Sequence, residues 1–216
     1  MLRLLTTPNE REWTAGERAA ATALLPPADL DRSRRYRRWQ DAQATLLGRL
    51  LLRRAIIDDD LDPGLLAWIA IDAAGRPSLP VAIDFSISHA EGLVALATSG
   101  DGPVGIDVEL LRPLDPDDLG PALTPWDRRR IAAASDPVAA TLQCWTAKEA
   151  VVKAAGLGIT IPELPVWEDG SMTCAGRTWW TASWRRPSHL LTLAHDRPFA
   201  PPGIIPVRLD ALLAQI

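Results

Sequence analysis

Cysteine is scarce in this chain. There are two, Cys144 and Cys174, in 216 residues, and they form neither a disulfide framework nor a metal-ligand repeat. That usage fits a reducing, cytoplasmic setting. Cys144, beside Trp145, reads as a small packed residue rather than a nucleophile. Long apolar runs are also missing, which argues against a membrane span. The N-terminus has no basic stretch followed by a long apolar one, so no secretory signal is expected. An excess of positive charge is lacking too: 23 Lys and Arg stand against 27 Asp and Glu, a net charge of −4. Nucleic acid is therefore not an expected partner. Of the three histidines, His189 and His195 lie in no recognisable motif and read as structural.

What is present is ordinary globular material, 47% hydrophobic and 23% charged, long enough for one or two domains each with its own core. Residues 10–24 read as a helix ended by Pro26-Pro27. Leu46, Leu47, Leu50, Leu51 and Ile57 recur at helical steps within 34–57. Leu65 to Ile71 reads as a strand after the turn Asp62-Pro63-Gly64. Two strands, Ile83–Ser88 and Leu93–Thr98, flank a short turn at Ala90-Glu91-Gly92, and residues 112–121 are loop. Helices are expected at Trp126–Ala134 and Thr141–Ala155, the latter closed by Gly156. The tail alternates turns, including Glu168-Asp169-Gly170, with strands at Trp179–Trp184, Leu190–Ala194 and Val207–Leu209. Composition and pattern alone give an α+β fold with a boundary near Gly102.

Two stretches carry the chemistry. In Val104-Gly105-Ile106-Asp107-Val108-Glu109, strand alternation sends Asp107 and Glu109 to one face and the aliphatic residues to a core. In Trp145-Thr146-Ala147-Lys148-Glu149-Ala150-Val151-Val152-Lys153, helical spacing puts Trp145, Glu149 and Lys153 on one face and the small apolar residues on the other. Each stretch has a bland reading. Asp-x-Glu can be edge-strand charge, and Glu149 with Lys153 can be an i,i+4 ion pair worth about 0.2–0.5 kcal/mol. Together they present three carboxylates and two lysines, a set suited to Mg²⁺ shared with substrate phosphates. Asp107 and Glu149 are expected to face solvent rather than core.

Both stretches resemble the signature pair of the 4′-phosphopantetheinyl transferases, roughly Gly-Ile-Asp-x-Glu and Trp-x-x-Lys-Glu-Ala-x-x-Lys. Upstream, Gly75-Arg76-Pro77, Phe85-Ser86-Ile87-Ser88-His89 and Asp41-Ala42-Gln43-Ala44-Thr45-Leu46-Leu47-Gly48 are similar to the family's other blocks. The length and the Trp…Lys-Glu-Ala form resemble the Sfp-type branch. The resemblance implies two similar α/β halves, 1–102 and 103–216, related by pseudo-twofold symmetry with the active site between them. It implies transfer of 4′-phosphopantetheine from coenzyme A to a serine of an apo acyl or peptidyl carrier protein, with release of 3′,5′-ADP. It places Mg²⁺ on Asp107, Glu109 and Glu149. Glu149, Lys153 and Asp107 would be the catalytic set, with Glu149 a candidate base and Lys153 on the donor phosphates. The coenzyme would be bound by Arg32, Arg35, Thr45, Gly75, Arg76, Pro77, Ser88, His89 and Lys153, with Ser88 and His89 on its 3′-phosphate and Arg76 on the nucleotide phosphates. Lys148, turned about 100° from Glu149 around the helix, would serve in an ion pair or at the ligand's edge. A monomer is expected, since both halves lie in one chain.

Two positions depart from the family pattern. Asp29 stands where a basic residue is usual, and Leu123-Thr124-Pro125-Trp126-Asp127 has Leu for an aromatic and Asp for Glu. Arg32, Arg34, Arg35, Arg37 and Arg38, with Arg49, Arg53 and Arg54 on the next helix, read as a solvated face, an anionic-ligand site or a dock for an acidic protein. The competing functional readings are a Mg²⁺-dependent phosphodiester hydrolase and a catalytically silent coenzyme A-binding module.

Overall fold

The computed structural model describes residues 1–158, 165–168 and 171–214. In chain order it begins with β1 (Leu2–Asn9), α1 (Ala15–Leu24), α2 (Pro27–Ser33) and α3 (Trp39–Asp58). There follow β2 (Ala70–Ile71), β3 (Pro77–Ser78), β4 (Asp84–Ala90), β5 (Gly92–Ser99) and β6 (Val104–Leu110). Next come α4 (Pro125–Ala132), α5 (Pro137–Ala155), β7 (Val166–Glu168), β8 (Ser171–Cys174), β9 (Arg177–Arg185), β10 (His189–His195), β11 (Ile204–Pro206) and α6 (Leu209–Leu213). The fold is mixed α+β. One sheet has the order β11-β1-β5-β4 and a second the order β6-β10-β9-β8-β7. A long helix lies on each: α3 on the first, α5 on the second. The expected turn at Glu168-Asp169-Gly170 involves residues 169–170, which lie outside the described residues. Among the described residues no helix is long and apolar enough to cross a membrane.

Three aspects differ from the sequence-based expectation. The strand β1 carries no alternating signal because it is covered on both faces: Leu5 packs under α3, while Leu4 packs with Val104, Ile106 and Leu193. Leu65–Ile71 is not a strand. Asp62 accepts a hydrogen bond from the Gly64 amide and starts a 3₁₀ turn over Pro63–Trp68, leaving only β2 extended. A short apolar run cannot by itself separate these outcomes. The tail strand lies at Ile204–Pro206 rather than Val207–Leu209, and Arg208 caps α6. That last strand pairs in parallel with β1, Leu4 against Ile204. The C-terminal segment thus returns to the first sheet.

The core between the sheets unites Ala95 and Ala97 of β5 with Val104, Ile106, Val108, Leu191 and Leu193. This fixes the other face of β6, carrying Gly105, Asp107 and Glu109, toward α5. Gly105 makes that approach possible. A Cβ there would sit 1.9 Å from the Ala150 carbonyl oxygen and 2.7 Å from the Ala154 nitrogen, both helix backbone. Gly48 of α3 has a softer neighbour: its Cβ would meet the Ile87 Cγ2 methyl at 2.7 Å. Gly105→Ala should therefore cost about 3 kcal/mol or more and Gly48→Ala nearer 1–3 kcal/mol, since a side chain can shift where a helix cannot. Urea denaturation of both variants tests this. Equal, small losses would refute the close helix–strand contact.

Candidate active site

Between α3 and α5 lies a cleft of about 770 Å³. Its walls come from α3 (Thr45, Arg49), the 74–77 loop, β4 (Phe85, His89) and α5 (Trp145, Glu149, Lys153). Its floor follows from how the two sheets meet. β4 and β6 are edge strands of different sheets. Alternate side chains of β4 accept the amides of β6: Asp84 Oδ2 from Val104 at 2.7 Å, Ser86 Oγ from Ile106 at 3.1 Å, and Ser88 Oγ from Val108 at 3.3 Å. The constant offset of twenty residues means the two strands run in the same direction. Polar residues at positions 84, 86 and 88 form a period-2 pattern whose meaning is not legible in the sequence without the partner strand.

At the end of the seam, Lys153 Nζ donates to Asp107 Oδ1 at 2.6 Å and to Ser88 Oγ at 3.0 Å, while Ser88 Oγ also lies 3.0 Å from Asp107 Oδ1. Asp107 Oδ2 is buried without a partner. Glu109 Oε1 accepts from Trp145 Nε1 at 3.2 Å. Burial, and then the charge of Asp107, push the Glu109 and Glu149 carboxyls above their ordinary range, with Lys153 opposing both. Among the described residues no three carboxylate, His or Cys side chains stand at metal-ligand spacing. The donor set nonetheless fits a hard divalent cation. Three oxygen ligands repel one another, and one buried carboxylate oxygen is unspent.

The chain's relatives agree with the motif reading. A family model described as the 4′-phosphopantetheinyl transferase superfamily matches residues 103–186. A 4′-phosphopantetheinyl transferase of Bacillus subtilis is 29% identical over 71% of this chain and 70% of its own length. The 4′-phosphopantetheinyl transferase gsp of Aneurinibacillus migulanus is 32% identical over 64% of this chain and 59% of its own length. The L-aminoadipate-semialdehyde dehydrogenase-phosphopantetheinyl transferase of Schizosaccharomyces pombe is 26% identical over 67% and 64%. The chain is thus similar to 4′-phosphopantetheinyl transferases, with the superfamily model matching over its second half. Its matches span between 59% and 70% of these relatives' length.

In this chain, Arg32, Thr45, Gly75, Arg76, Pro77, His89, Glu149 and Lys153 line the cleft, whereas Arg35, Ser88, Asp107 and Glu109 are not on its wall. Arg35 is exposed. Asp107 is 4% exposed, so the expectation that it faces solvent is corrected: its strand face is covered by α5. Ser88 and His89 point to opposite faces of β4, as neighbours in a strand must. Ser88 is therefore spent on the seam and on Lys153, and His89 alone reaches the cleft. Burial lowers the His89 pKa, Asp41 raises it, and Lys153 lowers it again, with a net downward shift. The Arg76 guanidinium donates to the Lys153 and Ala154 carbonyls at the end of α5, to Asp84, and to Val104 O at 3.3 Å. From the cleft wall it clasps α5 to the seam. The position of Gly156 in the left-handed region lets α5 end there, and a Cβ on it would lie 3.3 Å from Arg76 Cδ.

Lys148 takes the ion-pair alternative. Its Nζ lies 2.8 Å from Asp127 Oδ2 and donates to Pro165 O at 2.7 Å, with 3% and 0% of the two side chains exposed. Asp127 also closes a capping box with Thr124, so one carboxylate starts α4 and ties it to α5. The position at which Asp replaces the family's Glu is therefore structural. Neighbouring Cys144 is pushed up to about 12 by burial and by Asp127, which leaves a thiol rather than a nucleophile. Desolvation raises the Asp127 carboxyl, but bonds from Lys148 and Thr124 outweigh it and hold the group below its ordinary range. Its stabilisation is thus complete above the unfolded value of about 3.9 and is lost as pH falls through the folded one. Lys148→Met should cost about 3–5 kcal/mol near neutrality by stranding a buried carboxylate. Lys148→Met with Asp127→Leu should recover much of that. Denaturation midpoints at pH 7 and pH 3 measure both effects. A single variant whose deficit does not shrink in acid would refute the pairing.

Proposed function

We propose that this chain transfers the 4′-phosphopantetheine group of coenzyme A to a serine hydroxyl of an apo acyl or peptidyl carrier protein, and acts as a cytoplasmic monomer. The observation that carries the reading is the cleft. Glu149 and Lys153 of α5 face Thr45, Arg32 and His89 across one cavity, so cationic and hydroxyl groups for a nucleotide stand opposite an acid–base pair. A long helix on each of two sheets supports the finer expectation of pseudo-twofold halves. Both cleft walls come from one chain, which supports the monomer.

The serine Oγ attacks the β-phosphorus of coenzyme A. The bond from that phosphorus to the bridging oxygen breaks, 3′,5′-ADP departs, and a phosphodiester links the arm to the serine. The serine proton passes to Glu149, directly or through water. Burial and the charge of Asp107 make this carboxylate a stronger base than an exposed one. Lys153 supplies positive charge to the donor phosphates when it leaves Asp107. Asp107, Glu109 and Glu149 would hold Mg²⁺, which when bound neutralises charge on the pyrophosphate.

The test is mass spectrometry of an apo carrier panel incubated with coenzyme A and Mg²⁺. Wild type adds one phosphopantetheine per carrier, and Glu149→Gln reduces the rate at least about a hundredfold, the scale of general-base catalysis. Mg²⁺ titration by calorimetry should show binding to wild type that strengthens as pH rises through the elevated range of Glu109 and Glu149, and that Asp107→Asn weakens. A Glu149→Gln protein that still turns over normally would remove the base. Nucleic-acid cleavage without carrier modification would favour a phosphodiester hydrolase, and coenzyme A binding without turnover a silent module.

A further inference from the structure

The cleft face of α5 carries Trp145, Glu149 and Lys153 at one-turn steps. The two outer residues each hold a carboxylate of β6. Lys153 Nζ donates to Asp107 Oδ1 at 2.6 Å, and Trp145 Nε1 donates to Glu109 Oε1 at 3.2 Å. Helix and strand thus run in opposite directions here, with Glu149 between the two contacts. The rotation of α5 that permits this is set beneath it. Thr146 is fully buried, and its Oγ1 shares a hydrogen bond of 2.8 Å with Thr192 Oγ1. Thr192 pairs with Asp107 in the register of β10 and β6. Cross-strand partners project to the same face, so Thr146 anchors α5 beside Asp107. Trp145, about 100° away around the helix, is then directed toward the end of β6 and the cleft.

The two contacts differ in kind. The ammonium of Lys153 is a charge beside Asp107, and a cation arriving there replaces it. The indole N–H is a neutral donor and accepts nothing. It can keep one carboxylate oxygen while the other takes a cation, as the outer partners of metal ligands do. Glu109 needs such a hold. It is half-buried near the end of β6 and carries a flexible side chain. Asp107 repels it, and the exposed Arg112 attracts it from beyond the end of the strand. The indole bond keeps it against α5.

We propose that Trp145 is a positioning residue: its indole N–H holds Glu109 against α5 and so assembles Asp107, Glu109 and Glu149 into a set that takes a divalent cation. The inference rests on the Mg²⁺ part of the transferase reading and adds a residue to it. Trp145 acts through Glu109, not on the ion or the reacting phosphate. Because Trp145 also lines the cleft, two roles are to be told apart. A plain cleft wall serves coenzyme A, whereas a positioning residue serves the cation.

Calorimetry on the full chain measures Mg²⁺ alone and coenzyme A alone. Trp145→Phe keeps an aromatic ring and removes the donor. It is expected to weaken Mg²⁺ at least about tenfold, the scale of outer-shell partners, and coenzyme A without Mg²⁺ by less than about threefold. Unchanged Mg²⁺ affinity, or a loss confined to coenzyme A, overturns the proposal. If Trp145→Phe does not fold, wild type decides by NMR. Among the indole N–H resonances of its nine tryptophans, one should shift along the Mg²⁺ binding isotherm, and Glu109→Gln should displace that same resonance without Mg²⁺. The absence of such a resonance overturns the proposal, as does a wild type that binds no Mg²⁺. Carrier modification judges the transferase reading apart from Trp145. A chain whose Mg²⁺ affinity depends on Trp145 but which modifies no carrier refutes that reading and leaves the positioning role. A chain that modifies carriers while Trp145→Phe binds Mg²⁺ as wild type does keeps the transferase and loses the role of Trp145.

Discussion

The joint between β4 and β6 is the constraint on which the rest depends. Two edge strands of separate sheets lie side by side, and the amides of one are satisfied by Asp84, Ser86 and Ser88 of the other. An unpaired edge is normally a place where another chain can add. Here short side chains close it, each bond contributing roughly 1 kcal/mol and each sparing a buried amide a larger loss. Because side chains rather than backbone carbonyls make the link, the strands remain members of different sheets. The helices on those sheets then stand on either side of a cleft instead of packing into one layer.

The same joint organises the charges. Ser88 is both the last stitch and a contact of Asp107 and Lys153. Asp84 is both the first stitch and the acceptor for Arg76, which grips the end of α5. Asp84 is pushed up by burial and drawn back by Arg76, so burial of the acid and its neutralisation are one event. The helix bearing Glu149 and Lys153 is thereby fixed at its C-terminal end by the seam and, through Lys148 and Asp127, by α4. Its last turns, at Ala150 and Ala154, lie on Gly105, where no side chain intervenes. Glu149 and Lys153 are thus borne on an element restrained at several points, as the proposed catalysis, with positioning to within a fraction of an ångström, requires.

Much of the site was legible because its residues obey local periodicities. Alternation in 104–109 and the i,i+4 spacing of Glu149 and Lys153 are properties of one strand and one helix, so they survive without knowledge of neighbours. The long helices α3 and α5, the hairpin of β4 and β5, and the Gly156 cap were readable for the same reason. Where prediction failed, the deciding contact came from a distant segment. The double coverage of β1 erased its pattern, and Ile204–Pro206 is a strand because β1 offers it an edge. Ser88 and His89, paired by the family motif, lie on opposite faces of β4, and Ser88 contacts Asp107 and Lys153.

The sequence by itself determined the acidic strand, the lysine-bearing helix and the glycine that lets them touch, since each depends on residue identity at fixed local spacing. Only the tertiary structure decided what those groups do to one another. It buried Asp107 beneath α5, joined Arg76 of the cleft wall to the end of that helix and made Lys148 a strut. It also converted the anomalous Asp29 into the partner of Arg49. The physical reason is that charge and hydrogen-bond energies depend on distance and burial across elements far apart in the chain. No local pattern encodes the twenty-residue separation that brings Asp29 to Arg49, or the forty-six that bring Asp107 to Lys153.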